Sequence, residues 1–485
     1  MNTLFKGITA ILPDEESGFS AKVCDIAVSD SVISYIGDDV VKNGFVPDKT
    51  IDGKDKLITA GLINSHTHSY MSLFRNSADD LMFHTWLFDR IMPMEDKLTA
   101  EDMYYGTQLA CLEMIKTGTT AFLDMNIARD CITRAISESG LKATISRGLV
   151  GNGRDDEGGK TRIEDTLYDM RTYGDNKRLK FMMGPHAIYT TDRGYLELVM
   201  EKAAEYGLGI NIHLSESVKE IEDSIAQNGC SPVKYLDDMG MFGFHTVAAH
   251  CVQLSDEDID ILAERGVYAA TNPISNAKLG NGFARIPDML DKGVKLCIGT
   301  DSAGSNNTLN MFSDMNFICL AHKGNCRSAT AVSARQALKM ATETGAKALG
   351  FDNTGILKEG YAADLTVMDM KYPSLQPVND PVAAMCYSAS GYEVESVMVD
   401  GEFFLPDYFQ ESFSFLFLRE FAFGNRESSV SVNCFQFPIR FRLKVVYFGL
   451  SVYDECKGRC LYSSDGKHLP ILSVAERIKA RCVHS

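Results

Sequence analysis

The stretch GLINSHTHSY, residues 61–70, runs from an apolar segment into two closely spaced histidines, His66 and His68. Residues two apart in an extended strand point to the same side, so a strand that ends in this pair presents both imidazoles to one point in space. This arrangement indicates a metal site. Zinc fits best, because it accepts nitrogen and carboxylate ligands and keeps one position open for water when it is catalytic.

Three more candidate ligands lie far along the chain, and each follows its own apolar run. They are His213 in GINIHLSE, His250 in TVAAHCV and Asp301 in KLCIGTDS. If those runs are strands whose ends meet, the side chains can complete a cage around a single divalent ion. The chain has only ten histidines, and four of them belong to this pattern.

The segments around these residues alternate between strand and helix patterns from residue 58 onward. Candidate strands cover residues 57–66, 119–125, 142–150, 179–187, 209–216, 246–252, 267–273 and 295–302. Amphipathic helical stretches separate them, and one of these stops at Gly266. Eight strands with intervening helices over about 250 residues predict an α/β fold, a closed (β/α)8 TIM-type barrel with its active site at the C-terminal ends of the strands. We assign residues 58–354 to this catalytic barrel.

The chain outside the barrel has a different pattern. Residues 1–57 contain short strand patterns, and strand patterns return at 355–402, so the two termini together predict a small β-sandwich. Residues 403–460 form an atypical insert that holds twelve of the 26 phenylalanines. We favour an error in gene structure, such as a retained intron, over a lineage-specific insertion as its origin. A C-terminal tail, residues 461–485, follows.

The composition restricts the partners and the location of the protein. A net charge of −17 on 485 residues argues against nucleic acid and against an anionic membrane surface, because both need basic contacts. No apolar run is long enough to span a bilayer. The 13 cysteines are dispersed, which predicts reduced core thiols, and the N-terminus lacks a secretory cleavage pattern. We expect a cytoplasmic protein with a small-molecule partner, and homo-oligomer formation stays open.

Six segments carry a resemblance to a known family. They are GLINSHTHSYMSLFR, GPHAIYTTD, INIHLSES, AAHCVQLSDEDI, ATNPISNAKLGNG and IGTDSAGSNNTLNMF. Together they resemble the amidohydrolase superfamily and, within it, the 5-methylthioadenosine/S-adenosylhomocysteine deaminases, over roughly residues 1–401 and 461–480. The resemblance implies a catalytic role for His250 and one zinc ion per subunit, held by His66, His68, His213 and Asp301.

The resemblance also implies which residues contact a nucleoside substrate. Glu95, in IMPMEDKL, would bind the ribose hydroxyls, since a carboxylate can accept from both members of a diol. Arg147 and His186 would contact the ribose and the group on its 5′ side, where a guanidinium could also pair with a homocysteine carboxylate. Trp86, the only tryptophan, lies in the same segment as Glu95 and could pack against the substrate.

The chemistry of adenine deamination requires groups that move protons. Adenine C6 is a poor electrophile, so water must become nucleophilic near neutral pH and a proton must reach the ring nitrogen beside C6. Glu216, three residues beyond His213, suits this proton donor, and Asp301 suits the acceptor of the water's proton. His250 can hydrogen-bond the water or the developing tetrahedral oxygen. Glu216 and Asp301 would therefore contact the substrate as well.

These residues predict zinc-dependent hydrolytic deamination of 5′-methylthioadenosine and S-adenosylhomocysteine, with adenosine as a further candidate. The alternative enzyme is a related single-metal hydrolase acting on another nitrogen heterocycle, such as guanine or a triazine. A catalytically inactive structural barrel is a third class, but every expected ligand is present. Only one metal is expected, because the fourth strand ends in Gly184-Pro185-His186 and lacks the bridging lysine of two-metal relatives.

Overall fold

The computed structural model describes residues 1–40, 44–404, 453–454 and 459–460. The chain divides into two compact units, Met1–Pro406 and Asp407–Ser485. Of the second unit, only one pair of two-residue antiparallel strands is described. The predicted tail, and the predicted insert from residue 405 onward apart from those four residues, therefore lie outside the described residues.

Strands and helices alternate through most of the first unit. The strands are β1 Asn2–Asp14, β2 Gly18–Ser29, β3 Val32–Gly37, β4 Lys49–Asp52, β5 Lys56–Ala60, β6 Leu62–Thr67, β7 Thr119–Asn126, β8 Lys142–Leu149, β9 Leu179–Pro185, β10 Gly209–Leu214, β11 Thr246–His250, β12 Tyr268–Thr271, β13 Lys295–Ile298, β14 Leu365–Asp369, β15 Val394–Val399, β16 Glu402–Phe404, β17 Tyr453–Asp454 and β18 Arg459–Cys460. The α-helices are α1 Met92–Glu95, α2 Ala100–Lys116, α3 Cys131–Ser139, α4 Glu157–Tyr173, α5 Arg193–Tyr206, α6 Val218–Asn228, α7 Pro232–Asp238, α8 Asp256–Arg265, α9 Pro273–Lys278, α10 Ile286–Asp291, α11 Met311–Cys326, α12 Ala334–Lys339, α13 Gly345–Ala348 and α14 Pro381–Tyr387. Short 3₁₀ segments are Ser69–Phe74, Met241–Gly243 and Pro373–Leu375, and π-helical segments are Thr85–Ile91 and Met340–Thr344.

The eight strands β6 to β13 form one parallel sheet in chain order, each hydrogen-bonded to the next. The chain after β13 returns to β6, where the Asp301 amide donates to the His66 carbonyl over 2.9 Å. The side-chain amide of Asn64 (Nδ2) also donates to the Thr300 hydroxyl over 2.7 Å. Strands such as β7 are buried along their whole length, which explains their near-continuous apolar runs. The predicted (β/α)8 barrel is confirmed.

Local sequence signals determine where the barrel helices begin and end. α8 follows Ser255, whose hydroxyl accepts from the Asp258 amide in a capping box. The same helix ends at Gly266, which has φ +65°, a conformation that glycine adopts without a steric cost. The predicted helix stop at this glycine is confirmed, and the chain turns there into β12.

The second sheet combines segments from before and after the barrel. Its strand order is β16-β15-β14-β5-β1-β2-β3, with β4 paired to β1. Its core contains Phe5 and Ile26 from the N-terminal segment and Val367 and Met398 from the later one. The two segments therefore complete one small β domain, as the sequence predicted.

Gly61 separates the predicted strand 57–66 into two strands of different sheets. β5 ends at Ala60 and pairs with β1 and β14, whereas β6 begins at Leu62 and pairs with β7. A Cβ at position 61 would lie 2.1 Å from the Thr120 side chain, so glycine allows the two segments to approach here. The sheet of the β domain therefore continues to Ala60, past the predicted barrel start at residue 58.

The first residues of the predicted Phe-rich insert also belong to the β domain. Phe403 lies in β16 opposite Met398 of β15. Its ring centroid is 6.1 Å from that of Phe5, and the Lys49 ammonium lies 4.2 Å from the ring centre. Phe403 and Phe404, which the sequence analysis assigned to the insert, therefore belong to β16 of the β domain.

Nine cysteines lie in residues 1–404, and none of these nine forms a disulfide. Seven of the nine are buried and only Cys326 is exposed, so most of the cysteines in this part of the chain are core residues. In the same part of the chain, every helix is too short or too polar to cross a membrane.

The buried carboxyl of Asp169 on α4 makes stability sensitive to pH. It accepts from the Thr133 hydroxyl (2.6 Å) and from the Asp130 amide (2.9 Å), and burial raises its pKa to about 6. In the unfolded chain this carboxyl ionises near pH 4, whereas in the folded protein it keeps its proton up to about pH 6. The parent protein should therefore lose stability as the pH rises from about 4 to about 6. Relative to the parent protein, Asp169→Asn should therefore gain Tm as the pH rises through this range.

Thermal melts of both proteins across the pH series measure this difference. Asp175→Asn, at an exposed position just after α4, is the matched control and should show the same Tm difference at every pH. A Tm difference for Asp169→Asn that stays constant from about pH 4 to about pH 6 would contradict the prediction.

Candidate metal and catalytic site

Three imidazoles and one carboxylate converge at the carboxyl end of the barrel strands. His66 lies in β6, His68 directly follows it, His213 lies in β10, and Asp301 lies three residues beyond β13. The Nε2 atoms of His68 and His213 are 3.3 Å apart. Asp301 Oδ1 is 3.7 Å from His66 Nε2 and 3.6 Å from His68 Nε2. All four predicted ligands are thus brought together and buried.

The hydrogen bonds of these histidines direct their free lone pairs toward the cluster. His68 Nδ1 lies 2.7 Å from the Met125 carbonyl and His213 Nδ1 lies 2.8 Å from the His186 carbonyl. A carbonyl only accepts, so Nδ1 carries the hydrogen in both rings and Nε2 is left as a ligand atom. Among the described residues, neither buried ring nitrogen of His66 has a hydrogen-bond partner. A divalent metal would bind one of them together with Nε2 of His68 and of His213, so the residues fit a zinc ion.

Asp301 is held as an ionised ligand. Its Oδ2 accepts from the Ser275 hydroxyl (2.6 Å) and the Ser305 hydroxyl (2.8 Å), which turns Oδ1 toward the histidines. Burial alone would raise the pKa of this carboxyl, but the neighbouring His250, His68 and His66 and the Ser275 hydrogen bond lower it to about 2. The side chain therefore carries its charge at neutral pH.

Glu216 and His250 form a second pair beside the cluster. Glu216 Oε2 is 3.7 Å from His250 Nε2, and Glu216 Oε1 accepts from the Asn281 amide over 2.9 Å. Burial, reinforced by Asp301 and Glu220, raises the pKa of Glu216 well above its ordinary value. Its carboxyl therefore holds a proton to higher pH than an ordinary glutamate does.

His250 is held neutral, with one ring nitrogen available to the site. Burial lowers the pKa of this imidazole. Its Nδ1 lies 2.8 Å from Asn276 Oδ1, which accepts the ring hydrogen. His250 Nε2 is then a free acceptor that faces Glu216.

The ends of three strands turn through left-handed residues at this site. Ser215 after β10, His250 at the end of β11 and Asp301 after β13 have φ values of +53°, +75° and +59°. Such conformations cost a non-glycine residue about 1–3 kcal/mol and persist only where the surroundings hold them. Glu220 provides one such restraint, because its carboxylate accepts from the amides of Ser215 and Glu216 over 2.9 and 2.8 Å.

A cavity of about 900 Å³, including its open mouth, lies over the cluster. Besides Glu216 and Asp301, three further predicted substrate contacts line it: Glu95, His186 and Trp86. Glu95 accepts a short hydrogen bond from the Tyr70 hydroxyl, and burial raises the pKa of this carboxyl. Trp86 is 5% exposed and donates from Nε1 to the Gly304 carbonyl over 3.2 Å. The structure thus brings these three side chains to the same cavity as the metal cluster.

Arg147 is the predicted site residue that the structure places elsewhere. Its Nε lies 3.0 Å from Asp165 Oδ2 on α4, and it is absent from the described cavity lining. The preceding residue, Ser146, has its hydroxyl 2.9 Å from Asn211 Nδ2 of β10, inside the barrel. Side chains alternate along a strand, so Arg147 points outward to the helix layer. In the structure, Arg147 therefore forms an ion pair between β8 and α4.

Other residues of the site were not predicted. Asn126, the last residue of β7, lines the cavity and has both side-chain polar atoms buried. Its position at a predicted strand end was the signal that could have identified it. Asn281, Ser275 and Ser305 act through Glu216 and Asp301, and their spacing in the sequence carries no signal of those contacts.

A buried histidine–aspartate cluster at the carboxyl end of a parallel barrel defines a metal-dependent hydrolase. Residues 57–404 match the Amidohydrolase family. The chain therefore belongs to the amidohydrolase family and is a metal-dependent hydrolase acting on C–N bonds.

This chain matches its named relatives over nearly the whole length of those proteins. The 5-methylthioadenosine/S-adenosylhomocysteine deaminase of Thermoanaerobacter pseudethanolicus is 42% identical over 410 residues, which are 84% of this chain and 94% of the relative. The 5′-deoxyadenosine deaminase of Methanosarcina mazei is 42% identical over 84% of this chain and 93% of its own. A crystal structure of an adenosine deaminase from Xanthomonas campestris with bound zinc is 29% identical, with a TM-score of 0.79 over 83% of this chain and 92% of its own.

Proposed function

We propose that this protein is a zinc-dependent deaminase of 5′-methylthioadenosine and S-adenosylhomocysteine that releases ammonia and the inosine analogue. The observation that carries the proposal is the buried Glu216 carboxyl, which has a raised pKa and lies 3.7 Å from His250 Nε2 at the same strand ends as the histidine–aspartate cluster. A deaminase of adenine needs a proton donor for the ring nitrogen next to C6, and Glu216 can supply it. The names of the relatives at 42% identity support the same reaction.

The proposed metal ligands are four of the residues that converge at the strand ends. They are His66, His68, His213 and Asp301. When bound, the zinc ion lowers the pKa of water toward neutrality. The zinc in the Xanthomonas structure supports this choice of metal, and the donor set of three imidazoles and one carboxylate suits it.

The chain's own groups move the protons of the reaction. The ionised Asp301 carboxylate accepts the proton of the attacking water and can pass it to the departing amine. His250 accepts a hydrogen bond at Nε2 from the same water, since its Nδ1 is occupied by Asn276. Glu216 donates its proton to the ring nitrogen, which prevents a bare anion from forming on the purine.

Glu95 recognises the sugar in this proposal. Its carboxylate lines the cavity next to Tyr70 and can accept from two adjacent ribose hydroxyls. Trp86 and His186 form parts of the wall around the nucleoside. A free base such as guanine has no diol and would leave Glu95 without this partner.

We further propose a cytoplasmic location and a small molecule as the principal partner. The nine unpaired cysteines of residues 1–404 suit a reducing compartment. The net charge of −17 disfavours nucleic acid.

The test of the proposed function is turnover by the zinc-loaded full chain. We expect ammonia release from 5′-methylthioadenosine together with the ultraviolet change from adenine to hypoxanthine. Guanine and a chlorinated triazine serve as comparison substrates, and neither should be turned over at a comparable rate. Turnover of one of these heterocycles without turnover of any adenine nucleoside would overturn the proposal.

Glu95→Gln should weaken nucleoside binding more than it slows the chemical step. The amide keeps an acceptor for Tyr70 but loses the charged acceptor for the ribose diol, so we expect KM for 5′-methylthioadenosine to rise about tenfold. The control is Asp96→Asn, at the exposed neighbouring position, which should leave KM unchanged. A KM for Glu95→Gln equal to that of the parent would remove Glu95 from the substrate contacts.

A further inference from the structure

A second cavity lies at the amino-terminal end of the barrel, away from the metal cluster. Its volume is about 910 Å³, including its open mouth. Tyr268 and Lys295 line it, and these two residues are the paired first residues of β12 and β13. Neighbouring barrel strands run parallel, so this cavity is at the opposite end of the strands from His250 and Asp301. A ligand bound here would therefore not contact the candidate catalytic site.

Three lysines from three segments line this second cavity: Lys295 of β13, Lys339 of α12 and Lys347 of α13. The Glu343 carboxylate lies beside two of them, 2.6 Å from Lys347 Nζ and 3.8 Å from Lys339 Nζ. Lys295 forms no ion pair with a described carboxylate, and its ammonium lies 4.8 Å from the centre of the Tyr268 ring. The lysines therefore exceed this carboxylate by two positive charges, in a chain whose net charge is −17.

The other side of the cavity is apolar and includes a rare type of helix. Leu290 and Met340 line it, and Met340 begins the π-helical segment Met340–Thr344. Short π-helical segments are uncommon and occur frequently at functional sites. The other π-helical segment of the described residues, Thr85–Ile91, contributes Trp86 to the cavity over the metal cluster. Each of these two segments thus borders a cavity that can hold a ligand.

The charge and the apolar wall together indicate the chemical class of this ligand. A phosphate monoester carries about −1.5 to −2 charges near neutral pH, which matches the two positive charges in excess. Lysine ammonium groups bind phosphate as point charges, and Lys295 has no described carboxylate to give up. The organic part of the ester would cover the apolar surface of Leu290 and Met340.

We propose that the cavity at the amino-terminal end of the barrel is a second ligand site, which binds a small organic phosphate monoester through Lys295, Lys339 and Lys347. The apolar wall binds the organic group of the same ligand. This site is separate from the proposed deaminase site and does not depend on the proposed function.

The test is calorimetric titration of the zinc-loaded full chain with phenyl phosphate. We expect a Kd of about 100 μM, and inorganic phosphate should bind at least about tenfold more weakly because it has no apolar part. Absence of phenyl phosphate binding up to about 10 mM would overturn the site. Equal affinities for the two compounds would overturn the assignment to an organic phosphate.

Substitution of the lysines locates the bound phosphate. Lys295→Gln and Lys339→Gln should each raise the Kd for phenyl phosphate about tenfold, since each removes one charged contact. The matched control is Lys292→Gln, because Lys292 pairs with Asp260 over 2.6 Å and is absent from the described lining of this cavity. Its Kd should equal that of the parent.

The same variants separate this site from phosphate bound at the metal cluster. Phenyl phosphate held by the metal would bind Lys295→Gln and Lys339→Gln as tightly as the parent, and that result counts against the second site. Lys339 is largely exposed on α12, so its variant tests the proposal even if thermal melts show that Lys295→Gln is unfolded.

Discussion

Glu216→Gln is expected to retain zinc and substrate binding while kcat falls by about 10³-fold. The glutamine keeps the acceptor oxygen that Asn281 contacts, so the local geometry survives the change. It has no acidic proton, however, and the ring nitrogen of the purine would remain unprotonated during attack. The loss therefore appears in kcat for 5′-methylthioadenosine, whereas zinc content and KM stay close to those of the parent protein.

The matched control for this experiment is Glu222→Gln, at an exposed position of α6 a few residues further along the chain. It makes the same change of side chain in the same region without touching the cavity, and its kcat should equal that of the parent. A Glu216→Gln protein that keeps kcat within about threefold would exclude Glu216 as the proton donor.

His66→Asn is expected to abolish zinc binding and, with it, activity. His66 is fully buried, and its ring nitrogens have no hydrogen-bond partner in the protein, so its imidazole has no described role other than ligation. The shorter asparagine cannot reach the other ligand atoms. Metal analysis of the purified protein should fall from about one zinc per chain to near zero.

His245→Gln controls for the loss of a histidine from the barrel. His245 lies at the opposite end of β11 from His250, where Nε2 contacts the Ala348 carbonyl over 2.8 Å. This variant should keep its zinc even if its Tm falls. Circular dichroism of His66→Asn must show a folded barrel, and full zinc content in that folded protein would contradict the assignment of His66 as a ligand.

The sequence predicted the barrel and the metal cluster because both depend on patterns that repeat along the chain. Apolar runs such as residues 119–125 and 246–252 became strands β7 and β11. In a parallel barrel all carboxyl ends lie on one side, so any ligand at a strand end must approach the others. This rule places His66 and Asp301 at the same end of the barrel, although they are 235 positions apart in the sequence.

The sequence patterns did not predict which side chains contact each other between distant segments. The sequence around Arg147 does not show whether its side chain faces the substrate or α4. The side of the strand on which it lies became known only from the structure, where it contacts Asp165. The apolar run around Gly61 likewise shows no break in the sequence. In the structure, however, this glycine lies close to Thr120, and the chain passes there from one sheet to the other.

The amino-acid sequence by itself determined the fold class and the position of the candidate ligands at the strand ends, since these follow from hydrophobic periodicity and from strand direction. The tertiary structure decided the electrostatic state of the site. The raised pKa of Glu216 depends on its burial near Asp301 and Glu220, and the lowered pKa of Asp301 depends on surrounding histidines and on Ser275. Such pKa shifts arise from burial and from distances between distant segments, and neither quantity exists until the chain has folded.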